Sequence, residues 1–175
     1  MRCTKAKILA IDPGTREIGI ALLEGTSLVY HGVKTIKNRR SAHEILWEGR
    51  KTIIRLLNDF RPDVLAIEKT FFSGKRSALL NVFANETRIL GTRKGIKVAS
   101  IAPNTVKKFI TGNGLATKEE VAQAIVARFP ELKVYFLQDR KWKMRYHENM
   151  FDAVALALTA ADRINLASHA RKASA

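Results

Sequence analysis

The chain has 175 residues, 46% of them hydrophobic, which is enough for one domain with a buried core and too short for two domains of ordinary size. Its one cysteine, Cys3, excludes an internal disulfide, and one cysteine with four scattered histidines excludes a structural zinc site. The 31 Lys and Arg residues against 16 Asp and Glu give a net charge of +15, which favours a nucleic-acid partner over a merely basic soluble protein.

The first residues are basic, but the apolar run that follows them, 8–11, is interrupted by Asp12. A signal peptide needs a longer apolar run, and a transmembrane helix needs roughly 20 apolar residues. We therefore expect a cytoplasmic protein, or one of an organelle matrix if the chain is a processed organellar protein.

The basic residues occur in clusters, whereas lysines that serve only solubility would be scattered. Clusters of this kind are typical of binding to phosphates. The clustered positions are Lys34, Lys37, Arg39 and Arg40; Lys75 and Arg76; Arg93, Lys94 and Lys97; Lys107 and Lys108; and Arg140, Lys141, Lys143 and Arg145.

The first third of the chain predicts three strands that form an antiparallel meander. Residues 7–12 are a short, nearly continuous apolar run, as expected for a buried strand, and Pro13 and Gly14 turn the chain. Residues 18–23 and 28–36 follow as two further strands, separated by a turn at 24–26.

Helices and strands then alternate, which predicts an α/β domain with a mixed sheet flanked by helices. Ser41 and Glu44 form a capping box at the start of the first helix, Asn104 is the expected cap of a short helix ending at Gly112, and Thr117 with Glu120 caps another. The expected strands are 64–68 and 97–101, and the other expected helices are 77–94 and 148–165. We expect a single domain over 1–167 and a disordered tail over 168–175.

Three acids lie where acids are unusual. Asp12 ends the first buried strand, Glu68 ends another, and Asp152 lies among the apolar residues of the last helix. A carboxylate among aliphatic side chains loses hydration, so it must be paired or bound to a metal to stay ionised. An acid at a strand end is often only the first loop residue, but three such acids without an obvious cationic partner favour a metal site. Carboxylate oxygens suit Mg²⁺ or Mn²⁺, and two such ions about 4 Å apart hydrolyse phosphodiesters.

Several motifs follow one another along the chain: Asp12–Thr15, Ala66–Phe71, Lys107, Gly112–Gly114, Ala116–Lys118 and Asp152–Ala157. In their order and spacing they resemble the RuvC family of Holliday-junction resolvases, over residues 7–160. The resemblance implies an RNase H-like fold with a five-stranded sheet, a homodimer, and Mg²⁺-dependent paired nicks in a four-way DNA junction that leave 5′-phosphates. An acid at Glu148, four residues before Asp152, is similar to the arrangement in the plant organellar branch of these resolvases.

Asp12, Glu68 and Asp152 match the metal-binding acids of the family, and Lys118 matches a basic residue near the scissile phosphate. Phe71 matches an aromatic that the family inserts near the junction centre, although it could equally be a core residue beside Phe72. The resemblance and the charge clusters together predict DNA contacts by Phe71, Lys75, Arg76, Lys107, Lys108, Arg140, Lys141 and Lys143. The basic contact segments 73–76 and 139–145 are expected to be loops.

The fourth acid is the point where the sequence departs from the family. Family members have an acid or a histidine three residues before the last Asp, and here that position is Asn149, a poor Mg²⁺ ligand. Glu148 is four residues before Asp152 and so on the same helical face, which makes it our predicted substitute. His147 and Asn149 are second choices, and Glu148 could instead be only a first-turn acid that favours the helix N-terminus.

Three other functions fit parts of the sequence. Asp12–Thr15 followed by Gly19 also resembles the first phosphate loop of actin-like sugar kinases, but that family needs a second lobe. A nuclease for RNA–DNA hybrids or a transposase-like enzyme would share the acids. A catalytically inactive junction-binding protein would share the fold.

Overall fold

The structure is a computed structural model that describes residues 5–37, 41–69, 75–137 and 141–173, and it gives no side chains for 75–77, 141–145 and 166–173. The strands are β1 (Lys7–Asp12), β2 (Glu17–Glu24), β3 (Ser27–Thr35), β4 (Val64–Glu68) and β5 (Lys97–Ile101). The helices are α1 (Ala42–Phe60), α2 (Lys75–Arg93), α3 (Pro103–Thr111), α4 (Lys118–Arg128), α5 (Lys133–Phe136) and α6 (Lys141–Ala173), with a 3₁₀ turn at Pro130–Leu132.

The five strands form one mixed sheet in the order β3-β2-β1-β4-β5. β1 pairs antiparallel with β2, and β2 pairs antiparallel with β3, as the predicted meander requires. β4 lies parallel to β1, and β5 lies parallel to β4. The predicted five-stranded mixed sheet is confirmed.

Helices cover both faces of the sheet, because both faces of its central strands are apolar. Alternate residues of β1 point to opposite sides: Ala10 packs with α6, whereas Leu9 and Ile11 pack with α1 and α2. α6 contributes a run of fully buried residues from Ala153 to Ala157. Each face therefore has its own hydrophobic cluster.

Gly19 sets how closely α6 approaches β2. A Cβ atom at this position would overlap the backbone of Asn149 on α6. Since Gly19 pairs with Asp12 across the β1–β2 ladder, the same contact fixes the distance between α6 and the end of β1.

The predicted caps are confirmed at two helices and wrong at a third. The Ser41 hydroxyl accepts a hydrogen bond from the backbone N–H of Glu44 at 3.2 Å, and Thr117 forms a capping box with Glu120. α3 instead begins at Pro103 with Ala102 as its N-cap and no side-chain cap bond. Pro103 fits the first helical position because its missing N–H would have no partner there, so Asn104 already lies inside the helix.

α6 begins earlier than the sequence predicts. Glu148 lies two turns into the helix, so it is not the first-turn acid considered as its alternative role. The expected basic loops are also wrong where the backbone is described: residues 75 and 76 begin α2, and residues 141–145 begin α6. The helical backbone of α6 continues to Ala173, within the segment 168–175 that was expected to be a disordered tail. The single domain over 1–167 stays a prediction. Among the described helices, none combines the length and apolar character needed to cross a membrane.

Candidate active site

Asp12 and Glu68 lie side by side because their strands are parallel neighbours. Ile11 and Ile67 are paired across β1 and β4, and each acid is the next residue along its strand. The carboxyl ends of adjacent parallel strands therefore bring the two acids to the same edge of the sheet. The sequence predicted each position, and the register places them together.

Asp152 reaches the same place from α6. It is half-buried among fully buried neighbours, including Ala153 and Ala155, and it lines a cleft together with Asp12 and Glu68. Glu148, one turn earlier on α6, faces the same side of the helix as Asp152. The three predicted acids are thus brought together, with Glu148 beside Asp152.

Among the described side chains, Lys118 is the cation that contacts these acids directly. Its ammonium donates to Asp152 Oδ2 at 3.0 Å and to Glu148 Oε2 at 3.5 Å. The position of Lys118 is fixed by the capping box, because Thr117 N–H donates to Glu120 Oε2 at 2.6 Å and Lys118 is the first residue of α4. The helix start and the ion pair together hold the ammonium against α6.

The cleft between α3, α4, α6 and the sheet edge has a volume of about 340 Å³. Its polar lining comprises Asp12, Glu68, Asp152, Lys107 and Lys118, and its apolar wall includes Val106 and Leu156. Lys107 approaches from α3 closely enough for its charge to oppose, in small part, the rise in the pKa of both Glu68 and Asp152 that burial causes. The cleft therefore combines three carboxylates with two ammonium groups.

Burial and repulsion by neighbouring carboxylates raise the pKa of all three acids, and for Asp152 the repelling neighbour is Glu148. The pKa of Asp12 is raised well above its ordinary value by burial, then by the charges of Asp152 and Glu68, against a smaller opposing effect of Lys118. Burial followed by the charge of Asp152 raises the pKa of Glu68. Burial also raises the pKa of Asp152, although the charge and hydrogen bond of Lys118 oppose it.

Lys118 shows the complementary shift. Burial acts to lower its pKa, but the charge and hydrogen bond of Asp152 and the charges of Glu148 and Asp12 outweigh burial, so the pKa is raised. The ammonium stays protonated at neutral pH. One firmly held cation therefore only partly compensates a group of carboxylates that repel one another.

This imbalance fits a divalent cation. Buried carboxylates with raised pKa values are stabilised in their ionised form by added positive charge, and oxygen ligands suit Mg²⁺ and Mn²⁺. Among the described residues, no three Asp, Glu, His or Cys side chains already surround one metal position. The donor set fits the ion, and the side chains would have to close in to hold it.

The other two candidates for the fourth ligand, Asn149 and His147, make contacts away from the three acids. The Asn149 side-chain amide donates to the Glu17 carbonyl oxygen at 3.1 Å, which ties α6 to the start of β2. The His147 ring packs against the rings of Tyr135 and Tyr146, with centroids 4.8 and 5.1 Å away. Glu148 is the one of the three that shares Lys118 with Asp152.

The predicted DNA-contact residues are described only in part. Lys107 lies in the cleft, and Lys108 is exposed on α3. Phe71 and Arg140 lie outside the described residues, and for Lys75, Arg76, Lys141 and Lys143 the structure describes the helical backbone alone.

A second cavity of about 320 Å³, which the sequence did not predict, lies on the other side of Lys118 and Asp152. Its aromatic wall contains Tyr135, Phe136 and Phe151. The adjacent aromatic residues at 135–136 are the one sequence feature that indicates this cavity. Their helix is too short to show a periodicity that would predict packing against α6.

The fold and the cleft define a basic α/β protein with a carboxylate-rich site at one edge of a mixed sheet. The sequence model of the family described as crossover junction endodeoxyribonuclease RuvC matches residues 8–160. The RuvC protein of Acidiphilium cryptum is 33% identical over 132 residues, which cover 72% of this chain and 79% of that protein. The chain belongs to the RuvC family.

Solved structures agree on the fold. The RuvC structure of Thermus thermophilus matches with a TM-score of 0.71 at 23% identity, covering 92% of this chain and 96% of that one. The same protein solved in complex with a Holliday junction substrate matches with a TM-score of 0.69 at 22% identity, covering 92% and 96%. The RNase H-like fold predicted from the resemblance is confirmed.

Proposed function

We propose that the protein is a structure-selective endonuclease that resolves four-way DNA junctions by paired nicks. Membership of the RuvC family supports this function. The observation within the chain that carries it is the cleft in which Asp12, Glu68 and Asp152 face Lys107 and Lys118. Acids that can hold metal ions, next to cations that can hold a phosphate, are what phosphodiester hydrolysis requires.

The family is one of metal-dependent nucleases, and we propose Mg²⁺, with Mn²⁺ as a substitute, as the metal. Asp12, Glu68 and Asp152 would hold it, with Asp12 central because its carboxylate interacts with both others. When bound, two such ions would activate a water and stabilise the leaving oxygen. The ionised acids would also be relieved of the repulsion that raises their pKa values.

The fourth ligand we propose is Glu148. Its support is the shared contact with Lys118, which places its carboxylate on the same side of α6 as that of Asp152. The Asn149 amide is already engaged with the Glu17 carbonyl, and an amide oxygen carries no charge to offer a cation.

Lys118 would act on the scissile phosphate. Its ammonium now pairs with Asp152, and it would be available to a phosphate oxygen at the same place when Asp152 holds a metal ion. A preorganised cation at this point stabilises the charge that develops in the transition state. Lys107, on the facing wall of the cleft, would hold the same strand.

We further propose that the protein acts as a homodimer, because two opposed strands must be cut. α2 supports this, since Val82 and Ile89 are apolar yet 45% and 37% exposed on that helix. Val82→Glu together with Ile89→Glu should convert a dimer to a monomer in analytical ultracentrifugation.

Two further expectations remain proposals. The cytoplasmic or organellar location is one, and the other is the set of DNA contacts by Phe71, Lys75, Arg76, Lys108, Arg140, Lys141 and Lys143.

The function is tested with a panel of labelled substrates: a mobile-core four-way junction, a linear duplex, a flap and an RNA–DNA hybrid. In Mg²⁺ we expect paired nicks with 5′-phosphate ends on the junction alone. The control is Asp12→Asn, which should bind the junction at least as tightly, because a negative charge near DNA is removed, and should not cut it.

Other outcomes would reject parts of the proposal. Cleavage of the hybrid with an intact junction would indicate a different RNase H-like nuclease. Junction binding by the unmodified protein without cleavage in either Mg²⁺ or Mn²⁺ would indicate an inactive junction-binding protein. Loss of binding in Asp12→Asn would indicate that Asp12 has a structural role.

A further inference from the structure

A groove between β3 and α1 lies on the face of the sheet opposite α6. Ile20 forms part of its wall and belongs to the hydrophobic cluster on the α1 side. The groove has a volume of about 580 Å³, and among the described lining residues it shares none with the acid cleft. It runs along the edge of the sheet, because β3 is the terminal strand on that side.

Exposed aromatic rings line this groove. Trp47 on α1 is 57% exposed and Tyr30 on β3 is 41% exposed. The Tyr30 ring packs against that of Phe60 at a centroid distance of 5.1 Å, which holds it in place at the groove. Contiguous exposed apolar surface of this kind marks a binding site more often than isolated exposed residues do.

Positive charge accompanies the rings. Lys34, Lys51 and Arg55 line the groove, and the Lys51 ammonium lies 5.3 Å from the centroid of the Trp47 ring. The lining also contains two acids. Glu48 accepts from the backbone N–H of Lys37 at 3.1 Å, and Asp59 lies 3.5 Å from Arg55. The lining therefore carries three cations against two acids, a net charge of +1.

We propose that the β3–α1 groove is a second nucleic-acid site, which binds single strands. Surfaces that bind single strands combine a cationic groove for phosphates with aromatic rings on which bases stack. In a duplex the faces of the bases are covered by the neighbouring bases. A duplex would therefore be bound by cations at its phosphates, and exposed aromatic rings would find no base face on which to stack. A polyanion also suits a chain of net charge +15 better than a protein ligand does. The proposal does not depend on the nuclease activity.

The test uses the fluorescence of Trp47. The chain has two tryptophans, so Trp142→Phe leaves Trp47 as the only one. Titration of this variant with a thymidine 12-mer in EDTA should quench its emission with saturation. In anisotropy measurements on labelled 12-mer, Trp47→Ala and Lys51→Ala in the otherwise unchanged protein should each weaken binding at least about fivefold, because stacking and cation contacts contribute separately.

The matched control is Lys133→Ala, which removes one exposed lysine from α5 on the α6 side of the sheet, outside the basic clusters, and should leave 12-mer binding within about twofold of the unmodified protein. Junction cleavage by Trp47→Ala should be unchanged, and thermal melts of each variant should show that it is folded. Equal 12-mer affinities for Trp47→Ala and the unmodified protein, or no quenching of Trp47, would overturn the proposal and leave a protein partner as the occupant of the groove.

Discussion

Asp12 combines burial with the repulsion of two neighbouring acids, and this affects folding as well as catalysis. An acid whose pKa is raised in the folded protein binds its proton more tightly when folded than when unfolded. Folding is therefore favoured as the pH falls through the raised pKa, and the ionised carboxylate lowers the free energy of unfolding at neutral pH. Metal ions would remove this penalty.

We predict that Asp12→Asn raises the melting temperature of the metal-free protein at pH 7, by about 2–4 °C for each kcal/mol gained. The difference from the unmodified protein should shrink as the pH falls and vanish below the ordinary value of 3.8, where Asp12 is protonated in both the folded and the unfolded state. Calorimetry in EDTA over this pH range measures it. A lower melting temperature for Asp12→Asn at pH 7 would show that the ionised carboxylate contributes to stability.

Substitutions at single residues also decide whether Glu148 or Asn149 is the fourth metal ligand. Glu148→Gln should reduce cleavage by about 100-fold or more and raise the Mg²⁺ concentration needed for half-maximal rate, because a charged ligand is lost. Asn149→Ala should reduce the melting temperature, because its bond to the Glu17 carbonyl is lost, and should leave the Mg²⁺ requirement unchanged. Full activity of Glu148→Gln would exclude it as the fourth ligand.

At the level of secondary-structure elements, the start of α4 positions Lys118. Thr117→Val removes the hydroxyl that accepts from the Glu120 N–H and should cost about 0.5–2 kcal/mol of stability. Cleavage should fall as well, because the first turn of α4 would no longer fix the ammonium against Asp152. Thr117→Ser should restore both properties. A loss of stability in Thr117→Val without a loss of cleavage would show that Lys118 does not depend on the cap.

The packing of α6 on β2 determines the separation of the acids. Gly19→Ala would force α6 outward, carrying Asp152 away from Asp12, and a shift of about 1 Å in such a site can reduce the rate by about 100-fold. Gly32→Ala on β3 is the matched control, because its added Cβ would meet the Tyr30 hydroxyl at an ordinary contact distance of 3.5 Å. Similar cleavage rates for the two variants would show that the site tolerates movement of α6.

Over the whole molecule, the sheet and the acids Asp12, Glu68 and Asp152 could be predicted because the determinants are local. An apolar run identifies a buried strand, and an acid within it is conspicuous. The start of α6 could not be predicted, since the basic segment 139–145 has no apolar periodicity and its sequence predicts a loop. The Lys118–Asp152 pair and the β3–α1 groove depend on contacts between residues distant in sequence, which no local pattern encodes.

The net charge of +15 leads to a prediction about selectivity. Binding through phosphate contacts releases counterions, so junction affinity should fall about 10³-fold or more between 50 and 200 mM salt if roughly six or more phosphates are engaged. Selection of a junction over a linear duplex depends instead on shape and should change far less with salt. Titrating Asp12→Asn with both DNAs at several salt concentrations measures the two quantities. If the ratio of affinities declined as steeply as the junction affinity itself, selectivity would derive from additional phosphate contacts rather than from shape.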